Sequence, residues 1–137
     1  MSQENVEIVR RIFDAADRRD EKAFVQLWHP DAEWRPRVTA AAALEGAVYR
    51  GHDDLRQYLR DIDQTLDELH LDPVTVEPVT PEHVLTVVRL TGVGAHSRVP
   101  VEATSYVVHQ VREGVCVRAT VHATKAEALE AAGVGAA

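Results

Sequence analysis

The sequence predicts an α+β fold, in a single domain spanning 1–137, with helices first and an antiparallel sheet after. Three observations carry that expectation. Apolar residues recur at helical spacing between Val6 and Ala16, and again between Leu55 and Leu69. From Val74 onward the apolar pattern changes to runs of period two and to fully apolar stretches. Finally, Arg98 to Thr124 holds two long alternating runs around a turn with Gly114, the pattern of an antiparallel hairpin.

Taken in order, Val6, Val9, Ile12, Phe13 and Ala16 make one buried stripe, with Glu4 and Glu7 at the positive end of the helix. Asp20 caps a second, short helix whose apolar side is Phe24, Leu27 and Trp28, and His29-Pro30-Asp31 stops it. Ala32 to Arg35 reads as a strand with Trp34 inward, closed by Pro36. The stretch 37–51 reads as an irregular loop. Asp53 and Asp54 open a third helix with Leu55, Tyr58, Leu59, Ile62, Leu66 and Leu69 on one side, leaving at Asp72-Pro73. Val74 to Val79 and His83 to Val93 are strands, and Lys125 to Ala132 is a last helix stopped by Gly133.

Parity sorts the hairpin. One face has Val99, Val101, Ala103, Ser105, Val107, His109 and Val111, and joins Val115, Val117, Ala119 and Val121 if Val111 lies opposite Val115. That register implies a three-residue loop, Arg112 to Gly114. A two-residue loop would set His109 across from Arg118 and mix the faces. The other face carries Tyr106, Cys116, Arg118 and His122.

A chain of 137 residues can bury a core without disulfides or metal. Its net charge of -7, from 22 acidic and 15 basic residues, argues against nucleic acid and anionic membrane as partners. A single cysteine, no apolar leader and no membrane-length apolar run point to a cytoplasmic protein. Five histidines fall thirteen residues apart, but their flanks share nothing and no metal-ligand spacing appears, so no metal is expected. Neither a phosphate-binding loop nor a serine-nucleophile motif is present, and no cofactor is expected.

The segments ENVEIVRRIFDAADRRD, LWHPDAEWRP, YRGHDDLRQYL, REGVCVR and EALEAAGV, in that order, resemble the SnoaL-like branch of the NTF2-like superfamily. The resemblance implies a cone, in which a curved antiparallel sheet wraps around the N-terminal helices and encloses a pocket. It also implies a homodimer through the outer sheet face. Ketosteroid isomerases, polyketide cyclases, dehydratases and epoxide hydrolases share this fold with non-catalytic binders, so the fold does not give the reaction. Where an isomerase of this kind has its tyrosine, its base and its second acid, this chain has Phe13, Arg35 or Pro36, and Val107. A cyclase histidine matches His109, but the partner acid falls near His122 or Ala123. An epoxide hydrolase would need an inward Asp-Arg-Asp set, for which Arg89 is the one inward arginine candidate.

His109 is therefore the candidate acid/base, as the one ionisable group on the inner hairpin face, and Arg89 a candidate polariser. Phe13, Trp28, Trp34, Tyr58, Ser105 and Val107 are expected to line the pocket, which suits a hydrophobic small molecule. Two functions follow. One is a cofactor-independent cyclase, isomerase or dehydratase, and the other a ligand-binding or dimerisation module with a vestigial pocket.

Overall fold

Val9, Ile12, Phe13 and Ala16 recur on one side of α1 (Ser2–Asp17) and all are buried, so this stripe sets the inner wall of the molecule. The computed structural model describes residues 2–36 and 48–134. After α1 come α2 (Glu21–Gln26), β1 (Trp28–Arg35), β2 (Tyr49–Arg50), α3 (Gly51–Thr65) and β3 (Leu66–Pro78). β4 (His83–Gly94), β5 (Pro100–Arg112), β6 (Val115–His122) and α4 (Lys125–Ala131) complete the chain. Most of the stretch expected as an irregular loop, 37–47, lies outside the described residues. Its end does not: Tyr49 and Arg50 pair with Trp34 and Glu33, and Gly51 already belongs to α3.

The strands form one curved sheet in the order β2-β1-β6-β5-β4-β3. The pairing of β1 with β6 is parallel and the rest are antiparallel. Its inner face packs on α1 and α3 in a core that includes Phe13, Trp28, Trp34, Leu59, Val84, Val107 and Ala119. A second, smaller core lies on the outer face, where Leu85 and Val108 meet Ala128 and Ala132 at α4. Part of the face expected to receive a second copy is thus taken by the chain's own last helix, and Tyr106 packs against that cluster.

Local chemistry fixes the element ends. The Asp20 carboxylate accepts from the Ala23 N–H at 3.1 Å and caps α2. Trp28 lies at the start of β1 and not on α2, since that helix ends at Gln26. Gly51 opens α3 at φ 78, and a Cβ there would meet the Pro30 carbonyl oxygen at 3.1 Å. Asp54 then accepts from the Arg50 N–H at 2.9 Å. α3 ends at Thr65, seven residues before the expected exit at Asp72-Pro73, and Leu66 and Leu69 belong to β3. They mimic a helical repeat because one extra residue is inserted between Asp67 and His70, where Glu68 takes φ 53.

The hairpin departs from its expected register in the same manner. Arg112 pairs with Val115, so the loop is the two residues Glu113 and Gly114, at φ 50 and 82. The slip this would cause is cancelled by a bulge at Val117: Val111 faces Cys116, but Gln110 faces Arg118 and His109 faces Ala119. His109, Val107, Ala119 and Val121 therefore keep a common inner face. Cys116 moves to that face and is fully buried, contrary to its expected outward place. Burial pushes its thiol above the usual range.

Two positive φ angles in a two-residue loop favour Asn-Gly over Glu-Gly. Glu113→Asn should raise unfolding free energy by about 0.5 kcal/mol, and Gly114→Ala should lower it by about 1 kcal/mol. Urea denaturation of both variants checks the turn; equal midpoints for all three proteins would contradict it.

Candidate functional site

Strands β4, β5 and β6 turn alternate residues toward α1 and α3, and a cavity of about 50 Å³ remains between them. Phe13 comes from α1, Tyr58 from α3, Trp34 from the end of β1 and Pro36 from just past it. Leu71, Val88, Leu90, Ser105, Val107 and Val121 supply the sheet wall. Five of the six residues expected around a pocket, Phe13, Trp34, Tyr58, Ser105 and Val107, line it. Trp28 does not, because it begins β1 and packs deeper, with Phe24 at 5.7 Å between ring centroids.

The aromatic rings form a connected set. Tyr58 meets Trp34 edge-on at 5.5 Å and Tyr49 at 5.3 Å. The Tyr49 hydroxyl donates to Asp61 at 2.7 Å, which braces β2 against α3. Burial pushes the Tyr58 hydroxyl up to about 12, so it stays protonated as a donor. Tyr49 was not anticipated from the sequence, since it stands at the end of the stretch read as loop.

His109 lies one aromatic layer behind this cavity. Its ring has Phe13, Trp28 and Trp34 at centroid separations of 5.4, 5.9 and 6.3 Å. Phe13 and Trp34 line the cavity; His109 does not. It is 2% exposed, and its Nδ1 has no hydrogen-bond partner among the described residues. Desolvation alone pulls its pKa down to about 3, so the imidazole is neutral at neutral pH. A general base must come within about 3 Å of the proton it takes, and here two rings intervene. Among the described residues the Trp28 indole nitrogen and the Thr86 hydroxyl share its condition, buried without a partner. Thr86 is legible in retrospect, as it alternates with Val84 and Val88 on the inner face of β4.

Arg89 does not enter the site. The inner residues of β4 have even numbers, so Arg89 points outward, half exposed, and pairs with Glu102 on β5. Its expected inward place is corrected by parity alone. Among the described residues no group of three or more His, Cys, Asp or Glu could hold a metal ion. No helix among them is long and apolar enough to cross a membrane. A surface depression of about 880 Å³ at the hairpin tip is an open groove whose Arg112 is tied to Glu82 at 2.9 Å.

The His109 environment has a pH signature. Its folded pKa lies below the unfolded value, so the unfolded chain binds the extra proton between about pH 6.5 and pH 3. The stability due to a neutral His109 is present above pH 6.5 and lost as pH falls through that window, by at most about 1.4 kcal/mol per pH unit. His109→Leu should flatten this acid slope and leave the protein about 1–2 kcal/mol more stable at pH 7, because an unpartnered polar group is replaced by an apolar one. Denaturation of both proteins from pH 7 to pH 4 measures the difference. Parallel pH curves would refute the dry, neutral histidine.

Comparison with known proteins places this geometry. A family model described as the SnoaL-like domain matches residues 9–132. No sequence among functionally curated proteins matches the chain. Solved structures resemble it over nearly its whole length. An NTF2-like protein of unknown function from Burkholderia pseudomallei superposes with a TM-score of 0.77 at 21% identity, covering 95% of this chain and 97% of the other. A putative SnoaL-like polyketide cyclase from Jannaschia sp. CCS1 gives 0.75 at 16%, with 96% and 92% covered. A Mycobacterium tuberculosis protein in complex with estradiol-17β-hemisuccinate gives 0.74 at 12%, with 92% and 97% covered. Identities this low establish the fold alone. With the family model spanning all but the two ends, the chain belongs to the SnoaL-like domain family and has the NTF2-like fold.

Proposed function

We propose that this chain binds a flat, hydrophobic small molecule in the cavity between Trp34, Tyr58 and the sheet, without acid–base catalysis by His109. The observation that carries this reading is the separation of the two: the cavity is apolar except for Ser105 and the Tyr58 hydroxyl, and the one inward histidine is sealed behind Phe13 and Trp34. Cyclase, isomerase or dehydratase chemistry would need a polar group close to His109 and a path from it to substrate. Dispersion and desolvation against the Trp34, Tyr58 and Phe13 rings would supply affinity, and Ser105 orientation.

Size constrains the ligand. The cavity of about 50 Å³ is well below the 300–1,000 Å³ usual for drug-sized molecules, so a larger ligand enters by displacing side chains. The structure with estradiol-17β-hemisuccinate supports a rigid polycyclic shape as the class to test. Pairing of two copies belongs to the same proposal, through the strip of outer face that α4 leaves uncovered around Val87 and Thr104.

A thermal-shift and tryptophan-fluorescence screen of steroids and planar phenols tests the pocket. A true ligand at a hundredfold excess over its Kd adds about 2.7 kcal/mol, a shift of several degrees. Ser105→Phe, which fills the cavity, should abolish the shift, and His109→Leu should retain it. Turnover that His109→Leu abolishes would overturn the non-catalytic reading. Sedimentation velocity should give twice the monomer mass for the paired form, and a charge at Thr104, as in Thr104→Lys, should halve it.

A further inference from the structure

On the outer face, beside the C-terminal end of α4, a second cavity of about 330 Å³ has a lining unlike the rest of this acidic chain. His83, Gln110, Arg118, Thr120 and His122 surround it over a floor of Val108, and among the described residues no carboxylate lines it. The sheet register brings them together: His83 pairs with Gln110, and Gln110 with Arg118. Arg118 has its outward place because of the bulge at Val117, which leaves it opposite Gln110.

Hydrogen bonding fixes one donor. The Thr80 hydroxyl accepts from the backbone N–H groups of Glu82 at 3.2 Å and His83 at 2.9 Å. With both lone pairs engaged, it donates its proton to His83 Nδ1, 2.7 Å away. The His83 ring therefore carries its own proton on Nε2, as a donor. Arg118 adds a charge that forms no close ion pair among the described residues and acts at longer range on the Glu33 carboxyl. Glu33, opposite it in β1, is already held by Arg35 at 2.6 Å and lies 3.9 Å from Arg50. The Glu82 carboxylate behind Gln110 is engaged by Arg112 and by the Gln110 amide. The negative end of α4 is closed as well, since the Gly133 and Val134 N–H groups bond the Glu130 and Leu129 carbonyls at 2.9 and 2.8 Å.

We infer that this outer cavity binds the phosphate group of a small metabolite, with Arg118 and the His83 Nε2–H as its principal donors. Donors converge from β4 and β6 on a space at the lower end of the small-molecule range, which fits a tetrahedral oxyanion with a short carbon body attached. The site is independent of the inner cavity, from which the full thickness of the sheet separates it.

Amide chemical shifts on titration with inorganic phosphate, at constant ionic strength against chloride, test the inference. Saturable shifts are expected at Gln110, Arg118 and Thr120, with a Kd on the order of 1–10 mM, as a few exposed charge-assisted bonds allow. Arg118→Ala, at an exposed position, should weaken binding about tenfold with an unchanged melting temperature. Ser105→Phe should leave it intact, which separates failure here from failure of the inner pocket. Shifts that fail to saturate, that chloride reproduces or that Arg118→Ala does not weaken would overturn the site. An equal response to acetate would overturn its assignment to phosphate.

Discussion

One apolar face must run unbroken around a sheet that bends, and strict alternation cannot supply it. Each strand turns every second residue inward, while curvature and a two-residue hairpin both shift that count by one. This chain resolves the conflict by leaving single residues out of the ladder. The extra residue near Glu68 keeps both Leu66 and Leu71 inward, and the one at Val117 keeps Ala119 and Val121 aligned with Val107. Everything at the inner cavity depends on these insertions. Without the second, His109 would face Arg118 and the aromatic layer around it would open.

That layer also decides the chemistry. Desolvation makes a histidine neutral, and neutrality is useful to a base only where a substrate can reach it. Phe13 and Trp34 contact the His109 ring on one side and the cavity on the other, so the two rings that help hold it neutral also lie between it and the cavity. Buried polar atoms without partners among the described residues, such as His109 Nδ1 and the Thr86 hydroxyl, represent a standing cost of about 1–3 kcal/mol each. The apolar packing of α1, α3 and the sheet offsets it.

Much of this architecture was legible in the residues. The stripe on α1, the Asp20 cap, the inward turn of Trp34 and the common face of Ser105, Val107 and His109 follow from periodicity and capping chemistry. The places where reading failed share one cause. Leu66 and Leu69 suggested a longer helix because a bulge imitates the i, i+3 step. Cys116 and Val117 exchanged faces for the same reason, and the loop length was misjudged because the bulge cancels its effect. Arg89 was a different error: the fully apolar run around it hid which parity faced inward. Tyr49 carried no local signal, since a two-residue strand is defined by its partner and not by its own pattern.

The insertions in β3 have another consequence. β3 is the outermost strand on its side of the sheet, so its outer row of N–H and C=O groups is the natural template for strand addition by another chain. Bulges near Glu68 and at Val74 break that row twice within thirteen residues, and Pro73 and Pro78 remove two of its donors. At the opposite margin β2 is only two residues long. The irregularities that shape the interior thus also leave, among the described residues, no straight margin on which this exposed sheet could grow into a fibre.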